Sequence, residues 1–334
     1  MTGACRLTNA LRDELGQRGL LGTPASRLDC TARAKRRGDR CFAVLAAQIG
    51  EANLSRGIGA SRLGAGEQAR FVLGYGALMT EFLAAPIFTN PDSRQILGDL
   101  GALANLIVSY VDDMVDSGHP RATLLPEFAL SLAASPPGRW MLDHATGLAP
   151  PAARLATRAV GEYFRRLDRL PYASAHAWVY ADVKRCIWTM YQEEARSTAD
   201  WARLRAHKSR PRKTALPLVV LGLPVWLTSQ SVPFGPYWEH RRWLVRLGRL
   251  IRWVDDTADA AEDERSGSIN AVGRVLARSG ARTNNQDSLV YQIGCRATTL
   301  WAKWQLWTRA SGAIDPSVGD VFGTVLAAWL EPQA

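Results

Sequence analysis

Long apolar runs are missing from this chain of 334 residues. The most apolar stretch, ALPLVVLGLPVWL at Ala215–Leu227, carries two prolines and falls short of the roughly 20 residues a bilayer requires, so a membrane span is excluded. Cysteine is scarce. The five cysteines stand at positions 5, 30, 41, 186 and 295, and their odd number and wide gaps fit neither a disulfide framework nor a zinc site. Strict apolar–polar alternation is nearly absent, which argues against sheets. A net charge of +10, mostly from arginine, is spread along the chain. Nucleic-acid readers cluster such charge, and the RNP, zinc-finger and basic-zipper patterns are absent, so no nucleic-acid partner is expected. Residues 1–20 contain Arg6, Arg12, Asp13 and Glu14 and no apolar signal core. The expectation is a soluble, reduced, cytoplasmic protein without stable membrane insertion.

What is present is helical periodicity. Apolar residues make up 47% and charged residues 22%, the balance of a globular protein. Residues 1–40 are read as a basic, partly ordered N-terminal segment, with a helix over Thr8–Arg18, a loose connection and the run AKRRGDR. From Cys41 to Ala334 the pattern predicts one all-α domain of about ten helices around a central cavity. Helices are predicted over Cys41–Arg56, Glu67–Phe82, Ser93–Val111, Pro126–Ala134, Ala152–Leu170, Ala173–Arg196, Tyr237–Ala261, Gln286–Leu306 and Val318–Leu330. Another begins at Ser197, with Ser197 or Thr198 as its N-cap, and Ala215–Leu227 is broken by Pro217 and Pro224.

Two acidic blocks stand out. WVDDTADAAED places Asp255, Asp259 and Asp263 four residues apart, one per turn on a single helical face. Like charges at that spacing repel by about 0.2–0.5 kcal/mol per pair, so a helix that needed only solubility would alternate signs. The second block, DDMVD at Asp112, Asp113 and Asp116, follows the apolar run LANLIVSYV directly. Two such ladders facing each other in a helical bundle form a scaffold for hard cations. Mg2+ takes oxygen ligands, keeps several waters and is shared between carboxylates and substrate phosphates. Two or three Mg2+ ions, three by expectation, would neutralise a diphosphate leaving group as Lewis acids. Loss of pyrophosphate from an allylic diphosphate leaves a carbocation. Aromatic walls stabilise such a cation by about 0.5–2 kcal/mol each without quenching it. The 12 tryptophans suit that demand, although ordinary packing accounts for most of them.

In these residues the chain resembles a class I terpene synthase of bacterial type, within the isoprenoid synthase superfamily. DDMVD is similar to the family's aspartate-rich motif, and DDTADAAED to its second metal motif, NDxxSxxxE, with Asp255, Asp259 and Asp263 in the ligand places and Asp256 in the second place. Gly267 and Asn270 resemble its continuation, and the 143 residues between Asp112 and Asp255 are similar to the spacing in bacterial members. WARLRAHK at Trp201–Lys208 looks like the segment with the diphosphate-sensing arginine and nominates Arg205, with Arg210 as competitor. The resemblance implies metal binding by the six aspartates, catalytic roles for Asp112, Asp113, Asp116 and Arg205, and diphosphate binding by Arg205, Arg210 and Arg265. It also implies a possible homodimer. Helical phase from Asp112 places Val108, Ser109 and Ile107 below the first motif, and Tyr75, Phe82, Trp188 and Tyr191 stand on helices expected to line the cavity.

The implied activity is that of a lyase. It would ionise a prenyl diphosphate, of twenty carbons such as geranylgeranyl or copalyl diphosphate, and cyclise or rearrange the cation to a terpene. Three departures qualify the match. The Arg-Tyr pair that often follows the second motif is not found, Glu262 stands where the family is often basic, and the second block is all aspartate. The last feature leans towards prenyl-joining enzymes, either chain-elongating or of the squalene and phytoene type. SRGIGASRLG at Ser55–Gly64 is a poor match to the isopentenyl diphosphate pocket GGKRxRP, which demotes elongation, and the DxDD motif of protonating cyclases is absent. A helical interaction protein or inactive partner subunit is the non-catalytic alternative.

Overall fold

The computed structural model describes residues 3–49, 65–87, 91–116, 151–197, 215–260, 272, 283–310 and 316–330. Ten α-helices run through them: α1 Gly3–Gln17, α2 Pro24–Ile49, α3 Ala65–Ala84, α4 Pro91–Asp116, α5 Pro151–Leu167, α6 Ala177–Ser197, α7 Leu216–Gly222, α8 Phe234–Ala258, α9 Thr283–Ala310 and α10 Pro316–Leu330. A 3-10 helix, Leu223–Thr228, continues α7. No strand occurs among the described residues, and no helix there is long and apolar enough to cross a membrane. The all-α expectation therefore holds. Proline sets several starts: α2, α4, α5 and α10 each open on one, where its fixed φ suits the first turn and its missing N–H is no loss.

The N-terminal segment departs from its reading. It is built into the bundle, and α2 runs without a break across the expected boundary at residue 41. Leu7, Leu11 and Leu15 of α1, at four-residue spacing, are buried, and so are Cys30, Ala34, Cys41 and Leu45 of α2. This narrow stripe of small apolar residues is hidden in the sequence among the arginines, which occupy the other faces. The α1–α2 connection is tight. Leu20 N–H donates to Leu15 O at 2.9 Å, and Thr23 Oγ1 caps α2 by accepting from Ser26 N–H at 3.1 Å. Ser197 is the last described residue of α6, and the helix expected to begin there, like the predicted Pro126–Ala134 helix, lies outside the described residues.

α3 lies antiparallel between α2 and α4. Its crossing with α4 is so close that a Cβ on Gly76 would stand 2.5 Å from Gly101 O, and one on Gly101 would stand 2.6 Å from Gly76 O. Across this crossing Asn105 Nδ2 donates to Val72 O at 2.8 Å. At the centre sits α7, buried along nearly its whole length and packed against α3, α4, α6 and α8. Pro217 and Pro224 do divide the apolar run, and each falls in the first turn of its own short helix.

A polar joint ties three elements together at one end of the bundle. His240 of α8 is fully buried. Its Nδ1 accepts from Trp226 Nε1–H at 3.0 Å, and its Nε2 lies 2.8 Å from Leu83 O, a carbonyl that only accepts. The ring is therefore neutral with the proton on Nε2. Burial pushes its pKa down to about 4.

Two stability predictions follow from these contacts. Gly101→Ala should lower the unfolding free energy by about 2 kcal/mol in urea titrations, because the clash outweighs the roughly 1 kcal/mol of helix propensity gained. Below pH 6.5 an unfolded chain protonates His240, whereas the folded chain does not until about pH 4. Its contribution is thus complete above pH 6.5 and is lost as pH falls through that window, by about 3 kcal/mol in all. His240→Phe should flatten that part of the stability–pH curve, and an unchanged slope would refute the assignment.

Candidate active site

The first aspartate block rides on a helix anchored by its apolar face. Leu97, Leu100, Leu103, Ala104, Leu106 and Ile107 of α4 are buried, and the helix continues through Asp112, Asp113 and Asp116, which occupy its last turns. Asp112 and Asp116, four residues apart, share one angular position on it. One and two turns nearer the core are Val108, Ser109 and Asn105. Val108 and Ser109 are half-buried, and Ser109 Oγ donates to Asn105 O at 3.1 Å.

The second block stands at the end of α8. Val254 and Thr257 are buried, and Asp255 and Asp256 between them are half-buried. Asp259 is exposed and serves as the C-cap residue, its N–H still donating to Asp255 O at 2.9 Å. The helical turn joining the first two members of the ladder is thus kept, although α8 proper ends at Ala258. Asp256 pairs with Arg252, with Oδ2 3.3 Å from Nε. Thr8 of α1 donates to Thr257 O at 3.2 Å and ties this end to the N-terminal helix.

Both helices leave from the same end of the bundle. Gly98 of α4 packs beside Ala77 and Glu81 of α3, and His240 of α8 bonds Leu83, half a turn further along that helix. α7, antiparallel to α8, has its C-terminal Gly222 against Leu244 and its preceding Ala215 against Gly248. Asp112 is 14 residues beyond Gly98, and Asp255 is 15 beyond His240. At 1.5 Å per residue these are rises of about 21 and 22 Å. Each acidic end thus lies a similar length along its own helix from that shared end, and α7 packs against both helices.

The electrostatics of these two ends are adverse. A helix C-terminus carries about half a negative charge, which favours cations by about 0.3–1 kcal/mol. α5 obeys this, ending on Arg165 and Arg166, and α9 ends with Arg309. The last turns of α4 and α8 contain no basic residue and bring carboxylates instead. An all-carboxylate donor set on two negative helix ends suits a hard divalent cation such as Mg2+. Among the described residues no three ligating groups converge; the side chains of the first block and of Asp263 are not among them.

The remaining expected residues are distributed as follows. Arg205, Arg210 and Arg265 lie outside the described residues. Trp188 of α6 is half-buried against the core, and Tyr191 is placed by its backbone one turn beyond. Tyr75 faces α2, with its OH 3.4 Å from Thr31 Oγ1 and its ring 4.4 Å from that of Phe71. Phe82 packs with Trp301 and Trp304 of α9 and Phe322 of α10.

One buried cluster had no counterpart in the sequence reading. Asp182 of α6 accepts from Tyr237 OH at 2.7 Å and from Arg241 Nε at 2.7 Å, both on α8. Burial, and then the neighbouring carboxylate, push the Tyr237 phenol well above its usual range, and burial pushes the Cys186 thiol beside them up to about 12. The cluster is a clamp that fixes α6 on α8. Partners more than fifty residues apart in the chain leave no local signal.

Neither a protein-family profile nor a curated protein matches this chain. Among solved structures, isoprene synthase from grey poplar leaves (Populus x canescens), in complex with three Mg2+ ions and dimethylallyl-S-thiolodiphosphate, is similar with a TM-score of 0.56 at 13% identity. The likeness covers 91% of this chain and 55% of that one, so the chain spans about half the length of that protein. At this identity the likeness is one of fold alone, an all-α architecture.

Proposed function

We propose that this protein is a Mg2+-dependent class I terpene synthase that ionises a prenyl diphosphate and releases pyrophosphate. The observation that carries the reading is the pair of carboxylate-bearing helix ends. They stand at one end of a terpene-synthase fold, and neither has a basic residue in its last turn. Asp112, Asp113 and Asp116 on α4, with Asp255, Asp259 and Asp263 on and beyond α8, would hold the metal. When bound, Mg2+ neutralises the charge that develops on the departing diphosphate. In that arrangement Asp256 stays with Arg252 and is not a ligand.

Arg205 is proposed to bind the diphosphate, with Arg210 and Arg265 as further cationic donors. Guanidinium groups match phosphate oxygens bidentately and stay charged at any working pH. The half-buried Val108, Ser109 and Trp188, with Tyr191, would form the apolar wall nearest the first block, while Tyr75 packs towards α2 and Phe82 among the rings of α9 and α10. None of the residues directly below Asp112 is aromatic, which leaves room for a twenty-carbon chain, so geranylgeranyl or copalyl diphosphate is the proposed substrate class. The isoprene synthase structure contains a five-carbon analogue, and that ligand belongs to the neighbour alone.

Two measurements test this reading. Mg2+ with pyrophosphate, near 100 times its Kd, should stabilise the fold by about 2.7 kcal/mol, visible as a raised Tm that EDTA abolishes; no shift would refute a metal–diphosphate site. Incubation with Mg2+ and, separately, farnesyl, geranylgeranyl and copalyl diphosphates should yield a hydrocarbon or terpene alcohol by gas chromatography–mass spectrometry. Asp112→Ala should lower that rate at least about a hundredfold. Pyrophosphate binding without product would assign the site to prenyl-joining chemistry instead.

A further inference from the structure

The N-terminal ends of α6 and α8 meet at a pair of exposed aromatic rings. Phe234, the first residue of α8, is 71% exposed, and Trp178, the second of α6, is 41% exposed, with their ring centroids 6.4 Å apart. Each is propped from below. Trp178 stands edge-on to Tyr237 at 4.4 Å, and Phe234 edge-on to Trp238 at 5.8 Å. Tyr237 is itself held by Asp182 in the clamp between the two helices. The flanking chain, PYASAHAWVYA at Pro171–Ala181 and SQSVPFGPYW at Ser229–Trp238, contains no Asp, Glu, Lys or Arg. Scattered apolar residues on a surface need no explanation, but a rigid aromatic pair in a neutral surround marks an interaction surface.

The same face of α8 changes character along its length. Steps of four residues lead from Phe234 to Trp238 and then to Arg242 and Arg246, and Arg249 follows three further on; all three arginines are exposed. Arg241 lies over the Trp238 ring at 5.3 Å and Arg246 over the Trp243 ring at 5.0 Å. Glu239 is the one acidic residue between Phe234 and Val254. An aromatic tip followed by a row of guanidiniums is complementary to a lipid surface with anionic headgroups. Aromatic rings settle at the headgroup level, and arginines engage phosphates. A second copy docking by two-fold symmetry presents the same patch to itself and would bring two rows of arginine together. The aromatic tip of the patch lies far from the aspartates: Phe234 precedes Asp255 by 21 residues of helix, about 31 Å, whereas Arg249 precedes it by six.

We propose that this surface docks the protein peripherally on anionic membranes. Phe234 and Trp178 enter the boundary between headgroups and acyl chains, and α8 lies along the surface so that Arg242, Arg246 and Arg249 rest on lipid phosphates. The proposal is independent of the catalytic reading, because no substrate enters its test.

The test is co-sedimentation of the full chain with phosphatidylcholine vesicles prepared with and without phosphatidylglycerol, at low and high salt. Wild type should sediment with the anionic vesicles at low salt and stay in solution with neutral ones. Phe234→Ser should weaken partitioning about tenfold. The triple change Arg242→Gln, Arg246→Gln and Arg249→Gln should weaken it about a hundredfold. Both variants alter exposed side chains, so their Tm should match wild type. Wild type remaining in solution with anionic vesicles would overturn the proposal, as would Phe234→Ser binding like wild type. A concentration-dependent dimer dissolved by Phe234→Ser, without vesicle binding, would assign the surface to a second copy and equally overturn it.

Discussion

Burial of α7 is the constraint on which the arrangement depends. A helix of seven residues has little stability of its own, and this one exists because Leu216 and Leu218–Leu221 are enclosed by four longer helices. Those neighbours include both helices that end in aspartates. α7 therefore acts as a spacer, with its width setting the separation of α4 and α8. The close glycine crossing of α3 on α4 and the Asp182 clamp of α6 on α8 then fix what stands on either side. The acidic ends need no stabilising contacts of their own, because the apolar lengths below them supply the stability.

That division separates folding from the proposed function along each helix. The lower turns of α4 and α8 obey the usual rules, with apolar faces inward and charges outward. Their last turns depart from those rules, with carboxylates on negative helix ends and no basic residue within the last turn itself, although Arg252 one turn back pairs with Asp256. A local conflict of this kind costs stability and is expected where a ligand supplies the missing charge. The arginine-terminated α5 shows that the chain follows the dipole rule where nothing else intervenes.

The aromatic residues divide in a similar way. His240 and Phe82 gather Trp226, Trp301, Trp304 and Trp307 into the far end of the bundle, a structural use of rings that composition alone cannot distinguish from a cation-stabilising wall. Trp178 and Phe234 turn outward beside them. Only Trp188, among the aromatic residues nominated for the cavity with a described side chain, is half-buried.

Helical periodicity, proline punctuation and the spacing of aspartates are local properties, so the all-α class, most helices and both acidic blocks were legible in the chain. The helix over Thr8–Arg18 was also legible as α1, but the helical start of α2 and the burial of both were not, because a narrow stripe such as Cys30, Ala34, Cys41 and Leu45 is masked by the arginines around it. Pairings such as Asp182 with Arg241, or Trp226 with His240 and Leu83, join residues from distant parts of the chain. They become favourable only once burial removes water from both partners. Periodicity is written into neighbouring residues, whereas which helix lies beside which, and hence which carboxylates share one end of the bundle, is settled by packing α7 among its four neighbours.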